Sequence, residues 1–134
     1  MWIEKSGTLF AVLMFALHLS SQNYNYVPDP MWTAPPQATE RRNPLKGVPD
    51  ALHRGHDIFE ARCSMCHGSD GKGLNNAANF HKPAVQQQSD GTLFWKIGNG
   101  HLAKGMPSFR ELSETDRWSL VDYLRTFKTS KARK

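Results

Sequence analysis

Cys63 and Cys66, the only two cysteines among 134 residues, stand three positions apart and are followed at once by His67. The pentapeptide Cys63-Ser64-Met65-Cys66-His67 restricts what this chain can become more than any other stretch. Two cysteines cannot build the disulfide framework that staples small secreted domains. A chain of 134 residues is one domain's worth, too short for two independent cores, which excludes a large multidomain enzyme. Three chemistries use cysteines this close. A redox dithiol gives no role to the adjacent histidine. A zinc site wants four ligands, usually from a second Cys/His pair at similar spacing, and His81 and His101 are too isolated to complete one. Covalent haem attachment uses all three residues. Two thiols at the end of a helix each add to one of the two vinyl groups on one porphyrin edge, and the next residue projects its imidazole under the iron. The motif thus predicts one covalent haem c, bound through Cys63 and Cys66, with His67 as an axial iron ligand.

A porphyrin with one axial histidine has a sixth position to fill. Met106 sits in Lys104-Gly105-Met106-Pro107-Ser108-Phe109. There glycine lets the backbone approach closely and proline pins the following turn. Met/His ligation raises the reduction potential relative to two nitrogen ligands. Met106 is the candidate sixth ligand, His101 is its rival, and an open five-coordinate site is the third alternative. Met65, between the cysteines, reads as filler.

The rest of the chain divides by composition. Residues 8–19 form an apolar run, short for a membrane span of about 20 residues and sized for an export signal. Residues 1–21 are expected to be a signal peptide or an N-terminal anchor, the latter reaching from Trp2 to Tyr24 with aromatic residues at both interfaces. Residues 22–49 hold six of the eight prolines and predict an extended linker, a solvated tether or, given Tyr24, Tyr26, Met31 and Trp32, a docking strap. Residues 50–128 form the globular part. Helical periodicity appears over 51–62, with Leu52, Gly55, Ile58, Phe59 and Arg62 near one face. A second helix covers 90–97, capped by Ser89 or Asp90 and stopped at Gly98-Asn99-Gly100. A third covers 114–128, with Ser113 as N-cap and Asp116 in capping-box spacing. No stretch sustains a period of two, so the expected fold is all-α, about three main helices around the haem.

The formal net charge is +5, and residues 101–134 carry eight positive side chains against four negative. Arg125, Lys128, Lys131, Arg133 and Lys134 form a basic end, with residues 129–134 as a solvated tail or a steering element for an acidic redox partner. No motif or aromatic interleaving supports nucleic-acid binding. His53 and His56 read as surface residues of the first helix.

Over residues 50–128 the sequence resembles the class I c-type cytochromes, the bacterial monohaem kind. Gly55 and Phe59 precede Cys63 by eight and four residues, as in that family's N-terminal helix, and Leu120 and Tyr123 stand where it places the partners of a helix crossing at the glycine. The string Cys-His-Gly-Ser-Asp-Gly-Lys-Gly at 66–73, Pro83-Ala84, the segment Asp90 to Ile97, and Met106-Pro107-Ser108-Phe109 look like further landmarks. The resemblance implies a helical fold around one haem and electron transfer without enzymatic turnover. It also implies that the Pro83 carbonyl accepts the Nδ1 hydrogen of His67, and that Trp95 lines the haem edge near the propionates.

The resulting expectation is a single-electron carrier in the periplasm or on the outer face of a bacterial membrane. It acts either as a diffusible shuttle or as a monohaem subunit of a respiratory or photosynthetic complex, such as alternative complex III, with redox proteins or neighbouring subunits as partners. The alternative of another class is a haem enzyme or ligand sensor with an exchangeable sixth iron site.

Overall fold

The computed structural model describes residues 27–128. The expected signal or anchor at 1–21 (2–24 for the anchor), Tyr24 and Tyr26, and the basic tail at 129–134 lie outside these residues. Among the described residues there are six helices and no strand. They are α1 (Pro36–Thr39), α2 (Pro49–Arg62), α3 (Ser64–His67), α4 (Pro83–Gln86), α5 (Asp90–Asn99) and α6 (Glu114–Thr126), with a 3-10 turn at Leu102–Lys104. The all-α expectation holds, and its three main helices are α2, α5 and α6. None of the described helices is long and apolar enough to cross a membrane.

Local chemistry sets the ends of these helices. Pro49 opens α2 at a position whose N–H has no intrahelical partner. Ser89 caps α5 by accepting from the Thr92 amide at 3.1 Å. Ser113 caps α6 by accepting from the Asp116 amide at 3.0 Å. The Asp116 carboxylate pairs with Arg54 on α2, so the cap of one helix is tied to the flank of the other.

The core forms where α2 crosses α6. Ala51, Gly55 and Phe59 are the buried face of α2, spaced by four residues as one helical stripe. Gly55 is the point of closest approach: a Cβ there would lie 2.1 Å from the Ser119 carbonyl oxygen and 2.9 Å from Tyr123 Cβ. Phe59, Ser119, Leu120 and Val121 around this crossing are the most completely buried side chains. The glycine crossing expected from the sequence is present, with the Ser119 backbone rather than the Leu120 side chain as its nearest neighbour.

The proline-rich segment departs from the extended reading. Pro36–Thr39 is a helical turn, with Pro36 at its start and Thr39 Oγ1 bonded back to the Pro35 carbonyl at 3.2 Å. It packs on α5 at Gly91, where a Cβ would lie 1.9 Å from the Ala38 carbonyl oxygen. Beyond it, the Arg41 guanidinium lies over the rings of Phe94 and Trp118, at 4.5 and 5.1 Å, and bonds Glu114 at 3.0 Å. Asn43 Nδ2 donates to the Trp118 carbonyl at 3.0 Å. The prolines set turns here, and polar side chains bind the segment to α5 and α6.

Arg125 is also more than part of a solvated basic end. Its guanidinium bonds Asp90 Oδ1 at 2.6 and 2.8 Å and donates to the carbonyls of Gln86 and Gln88 at 3.0 and 2.7 Å. It joins the end of α6 to the turn between α4 and α5.

Candidate haem site

The attachment motif is rigid before any cofactor chemistry is considered. Cys63 closes α2, its amide bonded to the Phe59 carbonyl at 2.8 Å, and at once begins the single turn of α3. The amides of Cys66 and His67 both return to the Cys63 carbonyl, at 3.1 and 2.9 Å. Gly68, at φ +74, then takes a backbone conformation that favours glycine and sends the chain around the motif. The returning amides of Gly73 and Leu74 bond the carbonyls of His67 and Cys66 at 2.8 and 2.9 Å. The two thiols thus sit three residues apart on one short turn, and a loop fixes the backbone beneath them.

His67 is oriented by two contacts. Its Nδ1 donates to the Ala78 carbonyl at 3.1 Å, and its ring stacks on Phe80 at 4.6 Å between centroids. With the proton on Nδ1, Nε2 carries the lone pair a metal requires, and the carbonyl partner raises the ring's basicity. Burial holds the His67 pKa below the usual imidazole range, against the opposing effect of the Ala78 carbonyl. The ring is thereby kept neutral, as ligation demands. Burial likewise pushes the Cys63 thiol up to about 11, whereas Cys66 is exposed.

Two expectations drawn from the resemblance are corrected here. The acceptor for His67 is Ala78, not Pro83. Pro83 opens α4, and its carbonyl accepts instead from the Gln87 amide at 2.9 Å. Trp95 does not line the cavity described below. Helix α5 turns Leu93, Lys96 and Ile97 toward that cavity, a stripe at i, i+3 and i+4. Trp95, two residues after Leu93, falls on a different face.

Met106 is presented by a closed loop. His101 and Met106 exchange backbone hydrogen bonds at 2.8 and 3.1 Å across the 3-10 turn, and Gly105, at φ +86, allows the reversal. The Met106 side chain packs against the core. The His101 ring is engaged elsewhere: its Nε2 donates to Asp29 Oδ2 at 2.8 Å, and its ring lies 4.9 Å from that of Trp32.

These pieces share one cavity of about 970 Å³, whose lining includes Cys63, Cys66 and His67 together with Met106 and Pro107. Its volume is at the top of the range for small-molecule sites, about 300–1,000 Å³. Phe59, Phe80, Leu93, Ile97, Phe109 and Leu124 give it apolar walls. Two lining residues hold buried polar atoms without a partner, Trp32 Nε1 and Gln88 Oε1. A large apolar plane with a polar edge suits this space, and two thiols for attachment with an imidazole and a thioether as iron donors are the groups of a haem c site. The residues present fit that group. The sequence carries no signal for Ala78, which acts through its backbone. It also left Asp29 and Lys96 unassigned, because their contacts, with His101 and Trp32, span 72 and 64 positions of the chain.

The family model described as cytochrome C oxidase, cbb3-type, subunit III matches residues 50–124. Among solved structures the chain is similar to the KustC0563 c-type cytochrome, with 28% identity and a TM-score of 0.52. The similarity covers 56% of this chain and 98% of that one. No curated protein matches the chain.

Proposed function

The chain belongs to the family described as cytochrome c oxidase, cbb3-type, subunit III, and on that premise we propose that it carries single electrons on the outer side of a bacterial membrane as a monohaem subunit of an electron-transfer complex. It is a c-type cytochrome with covalently bound haem c. When bound, the haem supplies an iron that alternates between ferrous and ferric states and so takes up and releases one electron at a time.

The protein's own residues account for the rest. Cys63 and Cys66 would hold the group through thioether links, and His67 and Met106, which line the same cavity, would supply its iron ligands. Ala78 keeps the His67 Nδ1 protonated and its ring fixed, so the ligand does not turn away when the charge of the iron changes. His101, the rival for the sixth position, has its Nε2 on Asp29 and its ring against Trp32, which favours Met106. The apolar walls formed by Phe59, Phe80, Leu93, Ile97, Phe109 and Leu124 would reduce the number of solvent dipoles that reorient during transfer. Two protein ligands, His67 and Met106, would leave the iron no open position for ligand chemistry, as a carrier requires.

One observation carries this reading: a single cavity joins the attachment motif to Met106. The subunit setting is supported by the description of the matching family. Redox titration of the purified holoprotein tests the carrier role, and one reversible one-electron wave is expected. The intact denatured mass of the chain from native membranes tests the setting. The full sequence plus one haem supports an anchored subunit, whereas a chain beginning near Gln22 supports a mobile carrier.

A further inference from the structure

The segment just before α1 forms part of the cavity wall. Val27, Asp29 and Trp32 all line the cavity, and short-range bonds hold the segment in shape. The Trp32 amide donates to the Asp29 carbonyl at 3.1 Å, and the Met31 amide donates to Asp29 Oδ1 at 2.8 Å. The bond from His101 Nε2 to Asp29 Oδ2 fastens this turn to the loop that presents Met106. Both Asp29 oxygens are therefore turned toward partners.

In this corner the Trp32 indole N–H has no acceptor and the Lys96 ammonium, half-buried against the Trp32 ring, has no carboxylate partner among the described residues. Trp32 Nε1 is sealed from solvent and has no acceptor, although a buried N–H is normally paired. The Lys96 ammonium lies 4.5 Å from the centroid of the Trp32 ring. It lines the same cavity, and no carboxylate lies within ion-pair distance of it among the described residues. Burial lowers its proton affinity, with Asp29 opposing from a distance. An orphaned donor beside an unpaired cation calls for an anionic acceptor, and a carboxylate supplies one. Haem carries two such groups, its propionates, at the edge remote from the vinyls. With the vinyl edge held at Cys63 and Cys66, the propionate edge would meet walls built by other elements.

We propose that the Trp32 indole N–H and the Lys96 ammonium bind a haem propionate, so that residues 27–34 are a structural wall of the haem site rather than a tether. The inference rests on the haem reading of the cavity. It gives the part that the resemblance assigned to Trp95 to a tryptophan outside the 50–124 match. The other charged or titratable residues lining the cavity are Asp29, Arg62, Cys63, Cys66, His67, His101 and Lys104, and all of them are unchanged in the variants below.

The test uses full-length holoprotein and two variants. Trp32→Phe keeps an aromatic ring and removes only the N–H, and Lys96→Met keeps the aliphatic stem and removes the charge. The readout is the reduction potential as a function of pH, whose bend reports the propionate's acidity. Losing a charge-assisted bond should make the propionate about a tenfold weaker acid. The bend therefore moves to higher pH in both variants, and the potential on its alkaline side falls, because a less neutralised carboxylate favours ferric iron. Variant curves superimposed on the wild type, with haem attached and melting unchanged, overturn the proposal. If Trp32→Phe retains no haem, the Lys96→Met curve decides. Covalent haem is measured separately from the alkaline pyridine spectrum: its absence from the wild type removes the haem reading itself, and its presence with unmoved curves removes only the Trp32–Lys96 assignment.

Discussion

Replacing Gly55 by alanine adds one methyl group at the tightest point of the fold. The new Cβ would sit 2.1 Å from the Ser119 carbonyl oxygen, a backbone atom in the middle of α6, and 2.9 Å from Tyr123 Cβ. Neither atom can swing aside as a side-chain tip would, so α2 and α6 must part by about 1 Å. Overpacking of this kind costs about 1–3 kcal/mol. Alanine's higher helix propensity returns about 0.5–1 kcal/mol. Because the clash is with backbone, the upper part of the first range applies and the net loss is about 2 kcal/mol. For a domain of this size that lowers Tm by about 8–16 °C. The assay is thermal unfolding of the holoprotein followed by far-ultraviolet circular dichroism. Gly47→Ala is the control: Gly47 has φ +77 and nothing within 4 Å of the added atom, so it tests backbone strain without a clash, at about 1 kcal/mol. A Gly55→Ala protein that melts at or above the wild-type temperature refutes the argument from close approach.

Three further outcomes follow from the packing and the charges. The double variant Cys63→Ser/Cys66→Ser, purified without covalent haem, should lose cooperative unfolding, because the cavity lining then has no apolar body to close around; circular dichroism through a denaturant titration checks this. Arg54 holds the Asp116 carboxyl below the usual carboxylate range, so the stability from this pair is present above the ordinary Asp pKa and is lost as pH falls through the lowered one. The Tm gap between wild type and Asp116→Asn should therefore be widest near neutrality and close below about pH 4. Arg125→Gln removes the fork on Asp90 and two carbonyl bonds, and should cost about 2 kcal/mol in urea unfolding.

What could be read from the sequence divides by the range of the interaction. Local signals predicted well: Ser89 and Ser113 cap their helices, and the Gly98-Asn99-Gly100 stop ends α5, which runs to Asn99 rather than residue 97. The resemblance to class I c-type cytochromes also implied Gly55 at the helix crossing, and the structure places it there. The attachment motif needed no long-range information, because its chemistry lies in five consecutive residues. The proline-rich segment was less legible. Proline count describes backbone stiffness, whereas the fold of residues 36–43 depends on Gly91, Glu114 and Trp118, which lie far along the chain. The same holds for Arg125, whose neighbours in sequence are basic but whose neighbours in space are Asp90 and two carbonyl oxygens. Pro83 and Trp95 fit a sequence pattern, but the orientation of α5 and the 68–80 loop assign the cavity wall and the histidine acceptor to other residues.

The central claim is that a haem held between His67 and Met106 would pass electrons without binding ligands of its own. Exposing the ferrous holoprotein to carbon monoxide at neutral pH tests it most directly, with Met106→Ala measured alongside. The account predicts no spectral change in the wild type and formation of a carbon monoxide complex in the variant, whose reduction potential also falls. Carbon monoxide binding by the wild type would contradict it and point to an exchangeable iron site.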